Sequence, residues 1–318
     1  MITVVTLADT AYAMPLAVMV RSLLDTLSPS RDVHVIIVDG GLSDTQKAML
    51  QTSWESSPGW PRARIEFTMP AYAGPHSLPV WGRVPVLTYS RISVESYVSE
   101  SCSRLLLLDS DILVLKDVSR LFDLELGGAT IGATQDPYIP FVSSRDGLAC
   151  YRELGLAPDW KYFNAGVMLV DVERWRQQQV AIRAFDFLTK NWNSVHHYDQ
   201  DALNAVLARH WKQLDQRWQA HPRLNHSRGA HTGEDAFILH FSGRLKPWSY
   251  LASGDADRHF YQVLDRTAWR GWRPPGGLRS LAYRIYDSPL RRFVYPIEAR
   301  LLSWRRRIER RQRVSPCT

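Results

Sequence analysis

Two aspartates interrupt a long apolar run of the sequence, LLLLDSDILVLKD at 105–117. Asp109 and Asp111 are separated only by Ser110, and in an extended segment side chains two residues apart point to the same side. Neighbouring carboxylates repel each other unless a divalent cation binds them, and phosphate oxygens can complete the coordination of such a hard cation. The pair therefore predicts a metal-dependent phosphate site, although the same residues also occur as the plain polar end of a strand.

Alternating apolar and amphipathic segments predict the elements that position this pair. The apolar runs at 2–8 and 33–39 are predicted strands, and helical patterns follow at 12–27 and after the N-cap residue Ser43. Continuous apolar strands in βαβα order indicate a parallel sheet covered by helices on both faces. Ligands of open α/β sheets bind at the carboxyl ends of strands, which is where the strand at 104–109 ends.

Further segments extend this α/β pattern along the chain. Strands are expected at 64–68, 130–134 and 236–241, a strand-to-helix transition at 162–175, and helices around 86–100 and at 199–210. A Gly- and Pro-rich stretch at 70–85 is predicted to be a long loop, a feature that often carries function. The simplest organisation is one catalytic domain at 1–275 followed by a basic extension at 276–318.

Composition places the chain among soluble globular proteins. Its 318 residues are enough for a large core and a substrate cleft, and 45% hydrophobic with 22% charged residues argue against wholesale disorder. The formal net charge of +7 is concentrated in residues 279–318, where eleven arginines face three acidic residues, so the rest of the chain is close to neutral. A nucleic-acid partner is therefore disfavoured for the catalytic domain.

Cysteine usage and the N-terminus indicate a cytoplasmic protein. Cys102, Cys150 and Cys317 are odd in number and irregular in spacing, which fits neither a disulfide framework nor a zinc site. The first residues carry no basic leader, and no apolar run reaches the roughly 18 residues needed to span a bilayer.

Six segments, taken in order, resemble the family 8 glycosyltransferases, and particularly the bacterial lipooligosaccharide galactosyltransferases. These segments are TLADTAYA (6–13), TYSRI (88–92), LLLLDSDILVLKD (105–117), YFNAGVMLVDVERW (162–175), YDQDALN (198–204) and HFSGRLKPW (240–248). The resemblance covers roughly residues 1–250. It implies a GT-A fold, a nucleotide sugar as donor, usually a UDP-sugar, manganese as cofactor, and transfer of a hexose with retention of anomeric configuration.

The resemblance also implies a metal site and a donor site. Asp109, Asp111 and His240 match the metal ligands, and a nitrogen donor suits Mn²⁺ better than Mg²⁺, which remains the second choice. Lys246 matches a lysine that contacts the diphosphate, where a compact ammonium stabilises the departing charge. The residues implied in binding the nucleotide sugar are Asp9, Tyr12, Arg91, Ser110, Asn164, Ala165, Gly243 and Lys246. Thr10 and Ala11 stand where the family often has a further polar residue, which leaves the base preference open.

The candidate catalytic residues are Asp199, Gln200 and Asp136. Gln200 matches the residue beneath the anomeric carbon, and an amide is a poor nucleophile, so front-face substitution is favoured over a covalent intermediate. Asp199 and Asp201 keep the double-displacement route open. Arg83 and Asp136 fall where similar enzymes contact the acceptor, a glycan or a lipid-linked glycan.

The basic extension combines arginines with apolar residues at helical spacing. Ile297, Leu301, Trp304 and Ile308 form one stripe of a predicted helix, surrounded by arginines. Such a helix can lie at an anionic membrane surface, with apolar residues in the acyl boundary and arginines at the headgroups. The extension therefore predicts peripheral association with the inner face of the membrane, while a helix packed on the domain is the alternative.

Two other functions share some of these features. A sugar-1-phosphate nucleotidylyltransferase also uses carboxylates and a metal, but it would favour a glycine-rich basic loop after the first strand, which TLADTAYAMP lacks. A non-catalytic protein that binds nucleotide sugars or glycans would need the same pockets without turnover. The oligomeric state is not indicated by the sequence.

Overall fold

The computed structural model describes residues 1–71, 86–222, 235–243, 246–250 and 254–276. Arg83 and nearly all of the basic extension, and with them the predicted amphipathic helix, lie outside the described residues. The described strands are β1 Ile2–Ala8, β2 Val33–Asp39, β3 Ala63–Thr68, β4 Arg104–Leu108, β5 Ile112–Val114, β6 Ile131–Gln135, β7 Phe163–Asp171, β8 Trp211–Gln213 and β9 Ile238–His240. The helices are α1 Ala13–Thr26, α2 Asp44–Glu55, α3 Ser119–Phe122, α4 Val172–Gln177, α5 Val180–Asn191, α6 Tyr198–Leu207 and α7 Asp255–Leu264.

Seven strands form the central sheet in the order β3-β2-β1-β4-β7-β6-β8. The pairs β1 with β2, β2 with β3, β1 with β4 and β6 with β8 are parallel, whereas β7 runs antiparallel to both β4 and β6. Adjacent residues of β1, Val4 and Val5, belong to different hydrophobic clusters, so both faces of the sheet are buried. The predicted mostly parallel α/β sheet flanked by helices is confirmed.

A second, two-stranded sheet brings distant parts of the chain together. β5 and β9 are antiparallel, with Ile112 opposite His240 and Val114 opposite Ile238. Since β5 begins directly after Asp111, this register places the late segment HFSG beside the acidic pair. The two-stranded sheet is therefore the element that assembles the predicted metal site.

Local sequence signals explain how the helices begin. Ser43 caps α2, because its hydroxyl accepts a hydrogen bond from the backbone N–H of Gln46 while the Gln46 side chain accepts one from the backbone of Ser43. Helix α1 follows β1 closely and is almost wholly buried, as its run of apolar residues predicts. No helix among the described residues has the length and apolar character that crossing a bilayer would require.

Some predicted elements differ from the observed ones. The helix expected around 86–100 is replaced by two short 3-10 turns, Val86–Arg91 and Val94–Tyr97. The late strand is shorter than expected, since β9 covers only three residues of 236–241. β9 ends where its pairing with β5 ends, whereas the 3-10 turns place Tyr89 and Val94 in the hydrophobic core.

Candidate active site

Asp109, Asp111 and His240 lie together at the carboxyl end of β4. Nε2 of His240 is 3.5 Å from Oδ2 of Asp109 and 3.2 Å from Oδ1 of Asp111. One ligand atom from each residue lies within 4.8 Å of the others, a grouping compact enough for a metal ion. The three side chains expected to form the metal site are therefore brought together by the fold.

The spacing of Asp109 and Asp111 predicted an extended strand, but the two residues lie in a turn. β4 ends at Leu108, and the turn is held by hydrogen bonds from the backbone N–H of Asp109 to the carbonyl of Gly166 (2.8 Å) and from Phe241 N–H to the carbonyl of Asp111 (3.0 Å). The buried Ser110 lies between the two aspartates in this turn. The side chains converge because the chain turns at this point, so the convergence does not depend on strand alternation.

The donor atoms suit a divalent cation. Oδ1 of Asp111 is buried and makes no hydrogen bond within the described part of the chain, although Nε2 of His240 lies 3.2 Å away. A buried carboxylate oxygen without a partner is costly, and a cation would remove that cost. Two carboxylates and an imidazole form a mixed oxygen and nitrogen donor set that Mn²⁺ accepts.

Two cationic side chains balance the carboxylates. Lys246 forms an ion pair with Asp111, while Arg91 pairs with Asp109 and, through Nη1 at 3.2 Å, with Asp199. Burial opposes the ionisation of Asp111, but Lys246 and then His240 outweigh it and hold the pKa of Asp111 well below its usual range. Burial likewise disfavours the Lys246 ammonium, and Asp111 more than compensates, so the pKa of Lys246 is raised. These cations are therefore held where the phosphates of a donor would need them.

Asp199 is the exception among the carboxylates. Burial raises its pKa to about 6, Arg91 acts in the opposite direction, and the charge on Asp109 adds to the rise. Asp199 follows Tyr198, a non-glycine residue in the left-handed region at φ 49°. A buried acid next to a strained backbone position is typical of a functional site.

Hydrogen bonds accepted by Asp201 stabilise the turn that contains Asp199. Its Oδ1 accepts from the hydroxyl of Tyr162 (2.6 Å), and its Oδ2 accepts from the backbone N–H groups of His196 (2.6 Å) and His197 (2.9 Å). Asp201 is fully buried. This carboxylate has a structural role in the turn and is not exposed for chemistry.

The side-chain amides of Gln200 and Asn164 are joined through the carboxylate of Asp136, and we call these three residues the amide network. Oε1 of Gln200 accepts from the backbone N–H of Ala165 (3.0 Å), and its Nε2 donates to Oδ2 of Asp136 (3.1 Å). The same Asp136 oxygen accepts from Nδ2 of Asn164 (2.8 Å). Oδ1 of Asp136 is occupied by the backbone N–H groups of Tyr138 and Ile139. Asp136 therefore orients two candidate sugar-binding side chains, and its contact with the acceptor stays a prediction.

The candidate nucleoside residues lie at the carboxyl end of β1. Oδ1 of Asp9 accepts from the backbone N–H groups of Ala11 (3.0 Å) and Tyr12 (3.1 Å), so this carboxylate caps a 3-10 turn. The Tyr12 ring packs edge-on against Trp248, with ring centroids 6.2 Å apart. Burial raises the pKa of Tyr12. The charge of Lys246 lowers this pKa, and the charges of Asp111 and Asp109 raise it further. Tyr12 therefore lies close to Lys246, Asp111 and Asp109.

Several residues of the site were not singled out in the sequence. Gln219 contacts His240, and Gly166 leaves the space that the His240 ring occupies, because a Cβ there would overlap the ring. Trp248 packs against Tyr12 and lies below the Lys246 ammonium. Gly243, which was singled out, has φ +77°, a conformation that favours glycine. Only the KPW and FNAG segments around these residues gave a signal in the sequence, and Gln219 had none.

The raised pKa of Asp199 predicts a pH-dependent gain of stability in Asp199→Asn. The folded state holds a proton up to about pH 6, whereas the unfolded chain releases it near pH 3.8, the ordinary pKa of an aspartate, so folding stability falls as pH rises through this window. The variant should therefore be more stable than the parent at pH 7.5, by up to about 3 kcal/mol at 1.4 kcal/mol per pKa unit. At pH 4 the difference should vanish. Denaturant unfolding of both chains in chelator at the two pH values measures it, and a pH-independent difference would contradict the assignment.

Comparison with known proteins identifies the family. The glycosyl transferase family 8 model matches residues 3–252. General stress protein A of Bacillus subtilis is 28% identical over 281 residues, covering 84% of this chain and 94% of that protein. Lipopolysaccharide 1,2-glucosyltransferase of Escherichia coli is 24% identical over 210 residues, covering 61% and 58%. The crystal structure of galactosyltransferase LgtC in complex with donor and acceptor sugar analogs superimposes with a TM-score of 0.68 at 22% identity, covering 84% of this chain and 96% of that one. With a GT-A-like fold and a family match that spans most of its length, the chain belongs to glycosyl transferase family 8.

Proposed function

We propose that the protein is a metal-dependent, retaining hexosyltransferase that moves galactose or glucose from a UDP-sugar to a hydroxyl group of a glycan or glycolipid acceptor. The observation that carries this proposal is the convergence of Asp109, Asp111 and His240 beside Lys246 and Arg91. A site with a metal-binding face and two cationic side chains has the charge complementary to a nucleotide diphosphate. The family assignment favours sugar transfer over nucleotidyl transfer at such a site.

Mn²⁺ is the cofactor we propose, with Mg²⁺ as the alternative. Asp109, Asp111 and His240 would hold it, and the bound cation would neutralise the diphosphate so that the sugar can depart. Lys246 and Arg91 now neutralise the carboxylates, and a cation on those carboxylates would leave both side chains available to the donor. Asp9 and Tyr12 are proposed to bind the nucleoside, because Tyr12 lies close to Lys246 and the two aspartates and Asp9 caps the turn that holds it.

The proposed sugars follow from the relatives. One is named a lipopolysaccharide glucosyltransferase, and LgtC is a galactosyltransferase whose structure holds donor and acceptor sugar analogs. Asn164, Ala165, Asp199 and Gly243 are proposed to bind the donor on the resemblance. The contacts of Ala165 with Gln200 and of Asn164 with Asp136 support this for the first two. Arg83 is proposed as an acceptor contact on the resemblance alone.

Front-face substitution is the mechanism that the contacts of Gln200 and its neighbours favour. Both oxygens of Asp201 are occupied, and Asp199 is paired with Arg91, so neither carboxylate is free to attack the sugar. Gln200 is held by Ala165 and Asp136, which keeps its carbonyl dipole in place for an oxocarbenium-like state. In this scheme the leaving phosphate oxygen takes the proton of the acceptor hydroxyl.

The first prediction tests the metal site by calorimetry with UDP. The parent protein should bind UDP much more tightly with Mn²⁺ than without it, whereas Asp111→Asn should lose the difference because it removes a ligand and a charge. Asp265→Asn, which alters an exposed carboxylate paired with Arg273, is the matched control and should behave as the parent. Equal UDP affinity with and without Mn²⁺ in the parent would reject the metal-dependent proposal. Release of UDP from UDP-sugars distinguishes a transferase from a binding protein.

The second prediction concerns Gln200→Ala. Transfer should slow on the order of 10²-fold, the usual effect of removing one group that stabilises transition-state charge, while UDP binding stays nearly intact. Steady-state rates and UDP titrations on the same preparations measure both. The control is Gln213→Ala, whose exposed amide contacts only Lys161 among the described side-chain pairs. Parallel loss of rate and UDP affinity would place Gln200 in the nucleotide site instead.

We further propose that residues 1–275 form the catalytic domain and that residues 276–318 attach it to the cytoplasmic face of an anionic membrane. The eleven arginines of the extension support this, since each basic residue near such a surface contributes about 1 kcal/mol. Attachment would hold a lipid-linked acceptor near the cleft.

The corresponding prediction uses the full-length chain with Arg305, Arg306 and Arg307 changed to glutamate. Co-sedimentation with vesicles containing anionic lipid should fall strongly, because attraction is replaced by repulsion, while metal-dependent hydrolysis of the donor should persist. Vesicles of neutral lipid provide the control and should bind both proteins weakly. Unchanged sedimentation of the triple variant with anionic vesicles would exclude this mode of attachment.

A further inference from the structure

Gln219 is a fully buried side chain that lies between the metal cluster and the amide network. It ends the 3-10 turn Gln216–Gln219, directly before the segment that pairs with β9. Its Nε2 lies 2.8 Å from Nδ1 of His240 and also donates to Oδ1 of Asn164. Its Oε1 accepts from the hydroxyl of Thr134 at 2.8 Å. All polar atoms of this amide are therefore used inside the protein.

The orientation of the Gln219 amide follows from its neighbour Asn164. Oδ1 of Asn164 accepts from the backbone N–H of Gly166 (2.9 Å), and Nδ2 of Asn164 donates to the carboxylate of Asp136 (2.8 Å). A backbone N–H can only donate and a carboxylate can only accept, so Asn164 has one orientation. The Gln219 atom facing Oδ1 of Asn164 must then be the NH₂ group, and the same group faces His240.

This orientation determines the state of the His240 ring. Nδ1 accepts a hydrogen bond from Gln219, so the proton of the neutral ring resides on Nε2, the atom that faces the two aspartates. The ring has little room to move, because it lies against Gly166 and 5.2 Å, centroid to centroid, from the ring of His221. Packing determines the position of the His240 ring, and the hydrogen bond from Gln219 determines which ring nitrogen carries the proton.

The hydrogen bonds continue from Gln219 to the candidate sugar site. Asn164 joins Gln219 to Asp136, and Asp136 joins Asn164 to Gln200. One uninterrupted chain of side-chain contacts therefore connects His240 with the residue proposed to lie beneath the anomeric carbon. A displacement of Gln219 would therefore change the hydrogen bonds of both His240 and Asn164, and through Asn164 and Asp136 those of Gln200.

From these contacts we infer that Gln219 is a positioning residue for His240, one that sets the orientation and proton position of its ring and thereby the affinity of the cluster for a divalent cation. The inference rests on the proposed role of His240 as a metal ligand. A cation bound at Nε2 requires the ring proton at Nδ1, where it would face the Gln219 NH₂ group that Asn164 holds in place. Gln219 therefore opposes the ligating tautomer and weakens cation binding. Groups that orient a ligating histidine commonly change metal affinity by 10- to 100-fold.

The test is the dissociation constant of Mn²⁺ for the full-length protein, measured without nucleotide. Gln219→Leu should bind Mn²⁺ 10- to 100-fold more tightly than the parent, because the NH₂ group that opposes the ligating tautomer is gone. Thr134→Val, which removes only the anchor of the Gln219 carbonyl, should shift affinity in the same direction by less. The control is Arg21→Met, which removes the hydrogen bonds of a buried side chain remote from the cluster and should lower stability without changing Mn²⁺ affinity.

A second readout uses the unaltered chain, and a variant, His240→Gln, serves only to assign its signals. Nitrogen NMR of the metal-free protein with labelled histidine should show His240 protonated at Nε2. Addition of Mg²⁺, a diamagnetic ion, should move the proton to Nδ1. A parent that binds Mn²⁺ together with a Gln219→Leu variant of equal or weaker affinity, or a metal-free ring protonated at Nδ1, would overturn the inference. A parent that binds no Mn²⁺ would instead overturn the proposed function on which it rests.

Discussion

The site depends on the compensation of charge among buried carboxylates. Asp109, Asp111 and Asp199 share a small volume, and Arg91 and Lys246 supply the only two full positive charges that the described residues pair with them. Burying an ion costs several kcal/mol unless it is paired. Asp199 has the raised pKa of about 6, because burial outweighs its ion pair with Arg91 and the charge on Asp109 adds to the rise. With three carboxylates against two cations, this group of residues is suited to a divalent cation, which would add positive charge.

The amide network has a different character, because its single carboxylate, Asp136, has its hydrogen-bond partners inside the protein. Asp136 receives four hydrogen bonds and holds Asn164 and Gln200, and Gln200 in turn holds the backbone of Ala165. Such a network resists rearrangement since every broken contact leaves a buried polar group unpaired. A rigid amide surface beside an uncompensated acidic cluster suits a reaction in which the diphosphate brings the charge and the sugar must be held still.

The parts of the fold and site that the sequence predicted are those set by local pattern. Apolar strands such as Ile2–Ala8 and the capped helix α2 could be predicted because period and cap chemistry act over a few residues. The metal ligands came from an ordered set of motifs, and the fold brings them together. The helix expected around 86–100 was wrong, because the short turns there are set by packing against the sheet. Gln219 could not have been predicted, since its role depends on the side chains of Asn164, Thr134 and His240, which only tertiary structure brings into contact.

The short ribbon of β5 and β9 has a consequence for folding. The acidic pair comes from the middle of the catalytic domain and His240 from near its end, so their meeting closes a long loop through only three residue pairs. Contacts between segments distant in sequence form late, because the chain must lose much of its freedom before they stabilise it. A chain emerging from the ribosome would therefore carry its carboxylates for some time without the imidazole. A cation held by these three residues would therefore bind only after β9 has paired with β5.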